Sequence, residues 1–194
     1  MTNTTSAKTM DDASGFRVAI TGTPGAGKSE VVKYAINIDK KYDILTVEEL
    51  AINNQLIGDV DRLDGAKPID IESLKTILTK EWEKTSRQIF IDGHLSHLLP
   101  VDAIVIIRCN PEILKIRNHS RGWSENKVEE NSEWELLGSA WNDCNEWGTI
   151  PCLELDSSAQ SVKALFSQIE QWIVDGFKPN SQEERIDWVS ILHG

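Results

Sequence analysis

The sequence predicts an α/β fold in which a parallel sheet is flanked by helices. Two observations predict it. First, strand-length apolar runs alternate with helix-like runs along the 194 residues, and crossover helices are what join parallel strands. Second, residues 22–29 read GTPGAGKS and fit the phosphate-binding pattern G-x-x-x-x-G-K-[ST] at every fixed position. Such a loop (a P-loop) connects a buried strand to a helix in a sheet of this kind.

The elements follow one another in the order that this fold requires. An apolar strand at 16–21 precedes the loop, and a helix from 28 to about 39 follows it. The later pattern predicts a weak strand at 42–46, a short helix at 47–55, a helix at 71–84 capped by Asp70, strands at 87–92 and 102–107, a helix from Pro111 to about 118, and a last strand at 149–155. An amphipathic helix at 159–174 closes the domain.

Helical spacing also gives two predictions about packing. The closing helix carries one apolar face, formed by Val162, Leu165, Phe166, Ile169 and Ile173. A second set at helical spacing, for which core packing is predicted, consists of Trp134, Leu137, Trp141 and Cys144.

The composition predicts one globular domain with short extensions. Residues 1–15 are polar and are expected to form a disordered tail, 16–175 form the domain, and the partly apolar segment 176–194 packs back onto it. Hydrophobic residues make up 40% of the chain, and no apolar run approaches the roughly 20 residues of a membrane helix. The three cysteines lack metal-site spacing, which favours reduced thiols and a cytoplasmic location.

The net charge of −11 limits the choice of partners. Nucleic-acid surfaces need clustered Lys and Arg, so a broad nucleic-acid face is excluded. An acidic surface is compatible with a basic protein partner, although simple solubility also accounts for it.

The phosphate-binding loop has a direct chemical interpretation. Gly25 and Gly27 allow positive φ, so that successive backbone N–H groups point at one phosphate group. Lys28 supplies a full positive charge for the β- and γ-phosphates, and Ser29 offers a hydroxyl to Mg²⁺. The loop therefore predicts binding of a nucleoside triphosphate such as ATP with magnesium.

Four further residues are candidates for the chemistry. Asp92 ends an apolar strand and is expected near Mg²⁺, or else it caps a turn. His94, two residues later, either orients a water or senses the γ-phosphate, or it is structural. Arg117 and Arg121 lie four residues apart, so one helix face can carry both, and at least one is expected to stabilise the transferred phosphoryl group. Gly122 supplies a hinge for a closing lid.

Three segments together resemble the adenylate kinase isoenzyme 6 family of archaea and eukaryotes. They are TGTPGAGKS at 21–29, IDGHLSHLLP at 91–100 and RGWSENKVEEN at 121–131. Ile186-Asp187-Trp188 is similar to the tail of the archaeal branch, and the resemblance covers nearly the whole chain after residue 15. The phosphate loop is widely shared, whereas the other segments are more specific.

The resemblance implies a nucleoside monophosphate kinase fold with a short lid at about 120–130 and an acceptor region at about 45–69. It implies transfer of the ATP γ-phosphate to AMP, hydrolysis of ATP, and a role in maturation of small-subunit ribosomal RNA with a basic ribosomal protein as partner. By the same resemblance, ATP is contacted by Gly25, Gly27, Lys28, Ser29, Glu30 and Arg121.

Two departures from the family pattern bear on activity. Glu30 stands where Thr is usual, so any contact to ATP is through its N–H, and its carboxylate is expected near the α-phosphate, where it weakens binding. Trp123 replaces the usual Tyr and removes a hydroxyl. Two alternatives stay open: an assembly factor that uses ATP hydrolysis as a conformational timer, and a small-metabolite kinase of the same fold.

Overall fold

The fold is described from a computed structural model of the chain. The structure describes residues 15–38, 40–59, 67–82, 84–181 and 185–194. The predicted tail lies outside these ranges except for Gly15, and so does the middle of the predicted acceptor region, 60–66. Within the described ranges, no helix combines the length and the apolar character needed to span a membrane.

Five parallel strands form one sheet in the order β2-β3-β1-β4-β5. The strands are β1 (Phe16–Thr21), β2 (Tyr42–Thr46), β3 (Gln88–Asp92), β4 (Ala103–Arg108) and β5 (Cys152–Asp156). The register pairs Asp92 with Ile20 of β1 on one side and with Thr46 of β2 on the other. The carboxyl ends of three neighbouring strands therefore meet at one edge. The predicted fold class is confirmed.

Helices cover both faces of this sheet. They are α1 (Lys28–Ile38), α2 (Val47–Asn53), α3 (Ile71–Glu81), α4 (Pro111–Ser120), α5 (Glu125–Leu136), α6 (Cys144–Trp147), α7 (Val162–Val174) and α8 (Trp188–His193). One face packs against α1 and α7 through residues such as Val32 and Phe166, and the other against α2, α3 and α6 through Leu50, Leu74 and Trp147. The apolar face predicted for the closing helix is confirmed.

Several predicted boundaries are wrong by a few residues, and local chemistry explains the shifts. The last strand begins at Cys152 and not at 149, because Pro151 has no N–H to donate to a ladder. Asp102 stands before β4, where its carboxylate accepts a hydrogen bond of 2.8 Å from the N–H of Arg17. The closing helix begins three residues late because Ser161 caps it. At α3, the helix ends at Glu81 instead of 84.

Core packing of the second set was predicted wrongly for two of its members. Trp134 and Leu137 are 62% and 72% exposed, whereas Trp141 is buried. The cause is a break in the helix: α5 ends at Leu136, and Gly138 takes a positive φ of 63° before a 3₁₀ turn begins. Because the residues belong to different elements, their common spacing does not place them on one face.

Candidate active site

The phosphate-binding loop, residues 22–29, lies between β1 and α1 and rests on α4. Gly25 has a φ of 100°, and a Cβ there would lie 2.2 Å from Oδ1 of Asn118. Glycine is therefore required both by conformation and by the close approach of α4. Asn118 is fully buried, and its amide donates a 3.4 Å hydrogen bond to the carbonyl of Pro24.

Lys28 is folded into the loop. Its ammonium donates to the carbonyls of Gly22 at 2.7 Å and Thr23 at 3.0 Å. Burial lowers the pKa of Lys28 to about 8, while the carboxylates of Asp92 and Glu135 act in the opposite direction. A desolvated ammonium ringed by loop backbone is a strong site for a phosphate group.

The side chain of Ser29, at the end of the loop, meets that of Asp92, and the sequence predicts each of them separately as a magnesium ligand. The Ser29 hydroxyl donates a 2.7 Å hydrogen bond to Oδ2 of Asp92. Within the described ranges, no cluster of three or more His, Cys, Asp or Glu forms a metal site by itself. One hydroxyl and one carboxylate suit Mg²⁺, which takes few protein ligands and fills its remaining positions with phosphate oxygens and water.

His94 and His97 have different surroundings although they lie three residues apart. The His94 ring reaches the cleft mouth, and its crowding by protein, together with the positive charges of Lys28 and His97, lowers the pKa of His94 to about 4. His94 is therefore neutral at pH 7. The His97 ring is buried, with Nδ1 at 2.8 Å from Oγ1 of Thr21 and Nε2 at 3.1 Å from Oδ2 of Asp143.

The two candidate arginines also differ in their surroundings. Arg117 is held by protein groups: it donates to the hydroxyl and carbonyl of Ser157 at 3.1 and 2.8 Å and to the carbonyl of Ala26 at 3.4 Å. Arg121 caps the end of α4 and is exposed. In the described part of the chain, the contact recorded for its guanidinium is the ring of Trp123, at 5.9 Å.

A cleft of about 670 Å³ opens from the phosphate loop toward the acceptor region. Its apolar wall comes from Val47, Ile57 and Ile69, and its rim carries Glu48 and Lys67, whose charged groups are 3.8 Å apart. Lys28, Ser29, Asp92, His94 and Arg121 all line the same cleft. Its volume is in the range of small-molecule sites.

A second cavity of about 170 Å³ lies on the other side of the loop. Its walls combine loop backbone with side chains of α4 and α7, and the residues include Gly27, Glu30, Arg117, Arg121, Gln160 and Val162. Glu30 points its carboxylate at Lys33, 3.0 Å away, with 59% of the side chain exposed. Pairing and exposure both weaken the repulsion that the sequence predicts between Glu30 and a phosphate.

Sequence reasoning missed a buried cluster behind the loop. The side chains of Arg108, Glu135 and Glu154 are each no more than 2% exposed, and Glu135 accepts a hydrogen bond from the loop residue Thr23. In the sequence, Arg108 simply follows the predicted strand 102–107, which assigns it no role. Glu135 lies in α5 with four other glutamates, and nothing in the sequence distinguishes it from them.

Comparisons with known proteins agree with this geometry. A family model described as "AAA domain" matches residues 18–138. A protein of Archaeoglobus fulgidus named "Putative adenylate kinase" is 35% identical over 182 residues, which cover 90% of this chain and 93% of the relative. A Methanocaldococcus jannaschii protein of the same name is 32% identical over 174 residues, covering 89% and 93%.

The chain belongs to this archaeal adenylate kinase family. The resemblance to the isoenzyme 6 type that the sequence indicated is thereby confirmed. The crystal structure of APE1195 aligns with a TM-score of 0.51 and 13% identity, covering 84% of this chain and 97% of that one. At that identity the likeness shows the fold alone, a P-loop sheet with flanking helices.

Proposed function

We propose that the protein is an adenylate kinase that converts ATP and AMP into two molecules of ADP. The observation that supports this most directly is that one cleft is lined both by groups suited to bind the phosphates of ATP and by an apolar wall suited to bind AMP. The ammonium of Lys28 and the Ser29–Asp92 pair line one end, and the apolar wall of Val47, Ile57 and Ile69 lines the other. The names of the archaeal relatives point to the same reaction.

ATP is proposed to bind with its phosphates in the loop and its adenosine in the 170 Å³ cavity beside Gly27. The backbone N–H groups of the loop and of the first turn of α1, which includes Glu30, are proposed to bind the phosphate oxygens. Ser29 and Asp92 would hold Mg²⁺, which neutralises phosphate charge when bound. AMP is proposed to occupy the larger cleft against the predicted acceptor region, 45–69.

In the proposed transfer, a phosphate oxygen of AMP bonds to the γ-phosphorus while the bond from that phosphorus to the β,γ-bridging oxygen breaks. Charge moves onto the transferred group and the leaving ADP. Lys28 lines the cleft at the loop, where its ammonium can stabilise that charge. Arg121 is exposed at the same cleft, and in the described ranges its guanidinium donates no hydrogen bond to a protein group. Arg117 is assigned a positioning role because Ser157 and Ala26 already use its donors.

The test is a screen of the purified protein with Mg·ATP against nucleoside monophosphates and small hydroxylated metabolites, with ADP formation as the readout. The proposal expects AMP to be the preferred acceptor, with two ADP formed per ATP consumed. A metabolite accepted in place of every nucleotide would replace the proposal with a small-metabolite kinase.

We also propose that the protein hydrolyses ATP and acts in small-subunit ribosomal RNA maturation through a basic ribosomal protein. The net charge of −11 and the position of His94 in the cleft lining, where its ring can orient a water molecule, support this second activity. A pulldown with a basic small-subunit ribosomal protein, followed by hydrolysis rates with and without it, tests it. If AMP never accepts phosphate while that protein changes the rate of hydrolysis, the timer alternative is correct.

A further inference from the structure

A fully buried charge cluster lies directly behind the phosphate-binding loop. The Arg108 guanidinium donates from Nε to Oε1 of Glu135 at 2.6 Å and from Nη1 to Oε1 of Glu154 at 2.6 Å. Glu135 also accepts a 3.1 Å hydrogen bond from the N–H of Cys109. Buried charges of this kind are costly unless each is paired, so the cluster has a defined geometry that tolerates little displacement.

One oxygen of Glu135 reaches the loop itself. Oε2 accepts a hydrogen bond of 2.5 Å from Oγ1 of Thr23, the first variable residue of the loop. The carbonyl of the same Thr23 accepts from the ammonium of Lys28 at 3.0 Å. A single residue therefore connects the buried cluster to the cation that is proposed to hold the phosphates.

The C-terminal segment completes the cluster from the other side. The indole N–H of Trp188 donates to Oε1 of Glu135 at 3.0 Å, and the N–H of Ile186 donates to Oε2 of Glu154 at 2.6 Å. Trp188 is 5% exposed, whereas its neighbours Val189 and Ile191 are 43% and 61% exposed. This segment is therefore attached to the protein interior at the cluster, through Trp188 and Ile186.

We propose that Glu135 is a positioning residue for phosphoryl transfer, acting on the phosphate-binding loop through Thr23, and that Trp188 fixes Glu135 from the C-terminal segment. A glycine-rich loop has many accessible conformations, and a charge-assisted hydrogen bond selects the one whose amides converge. Pre-arranged donors stabilise a developing charge without reorganisation during the reaction. The inference rests on the proposed kinase function and adds to it a residue that holds the phosphate-binding loop in place.

The same connection reaches the lid. Glu135 lies on α5, and α5 follows directly after residues 121–124, the loop that carries Arg121 and Trp123. The Thr23 hydrogen bond thereby joins α5, whose first half falls within the predicted lid, to the proposed ATP site.

The first test compares Thr23→Val with Thr23→Ser. Valine keeps the shape of threonine and removes the hydroxyl, whereas serine keeps the hydroxyl. We expect kcat to fall about tenfold in T23V with a smaller change in KM for ATP, the size of effect seen when a group that orients a ligand is lost. T23S should retain kcat to within about twofold of wild type, because the donor is restored.

The second test uses a matched pair of indole substitutions. Trp188→Phe removes the donor to Glu135, and Trp172→Phe removes an equally buried indole donor that bonds the carbonyl of Pro179 at 2.7 Å, outside the cluster. Since Glu135 keeps its other partners, W188F should lower kcat only about threefold. W172F should leave kcat unchanged, and thermal unfolding of both variants shows whether each remains folded.

The outcomes separate this inference from the proposed function. A wild-type protein that binds no ATP by calorimetry and forms no ADP would overturn the kinase proposal itself. With an active wild type, the positioning role is overturned if T23V turns over at the wild-type rate, if T23S is as slow as T23V, or if W172F is as slow as W188F.

Discussion

The side of the cleft proposed to bind ATP, the donor side, and the side proposed to bind AMP, the acceptor side, differ in how far their residues are buried. On the donor side Thr23 and Lys28 are nearly buried and bonded to protein groups. On the acceptor side the charged residues of the rim are exposed: 61% of the Glu48 side chain and 46% of the Lys67 side chain. The fold therefore shapes the proposed phosphate site, whereas we expect the proposed acceptor site and the predicted lid to be organised by the substrate.

The largest expected effect is at the centre of the donor side. Lys28→Met removes the buried ammonium, so we expect turnover to fall by about 10²-fold or more and ATP affinity to fall with it. Lys33→Met is the matched control, because Lys33 lies on the same helix with 67% of its side chain exposed. Steady-state ADP formation measures both. Wild-type turnover in K28M would show that the donor side is not the phosphate site.

The next prediction sets Arg121 against Arg117. Arg121→Ala should lower turnover by about 10²-fold with no change in melting temperature, because the guanidinium is exposed. Arg117→Ala should instead cost about 1–2 kcal/mol of folding stability, or a few degrees of melting temperature, because Ser157 and the Ala26 carbonyl lose a donor. Turnover and thermal unfolding of both variants decide it. An equal loss of stability in both would contradict the contrast.

Asp92→Asn tests the metal side of the comparison. We expect the Mg²⁺ concentration needed for half-maximal turnover to rise about tenfold, because a carboxylate beside Ser29 is replaced by a neutral amide. Removal of divalent metal with EDTA should abolish turnover in the wild type. If D92N shows an unchanged magnesium titration curve, Asp92 only caps the turn before Gly93.

The smallest effect is expected at Glu30. Glu30→Thr should lower KM for ATP about two- to threefold at low salt, because a negative charge leaves the phosphate site, and the gain should vanish at high salt. The effect is small because the carboxylate is exposed and already paired with Lys33. KM measured at two ionic strengths checks this. A rise in KM would mean that Glu30 favours ATP binding.

The sequence predicted those features that depend on residues close to one another along the chain. The loop follows from a motif and the five strands follow from apolar runs, and the apolar run that ends in Asp92 made this residue a candidate for the magnesium site. The roles of Arg117 and Arg121 could not be separated, because four-residue spacing gives a shared helix face but not which side chain meets Ser157. Glu135 was unpredictable because all the partners of its side chain are distant in the sequence: Arg108 lies 27 residues away, Trp188 53 and Thr23 112.

The positions of β1 and of α8 have a practical consequence for tethering the molecule. The chain enters β1 at Phe16, at the amino end of the central strand, and the six residues of β1 put about 20 Å between that point and the nucleotide loop. The amino end of β1 therefore lies at the edge of the sheet opposite the cleft. A linker fused after Gly194 extends instead from α8, where any pull on it is transmitted through Trp188 to the hydrogen-bonded cluster beneath the loop.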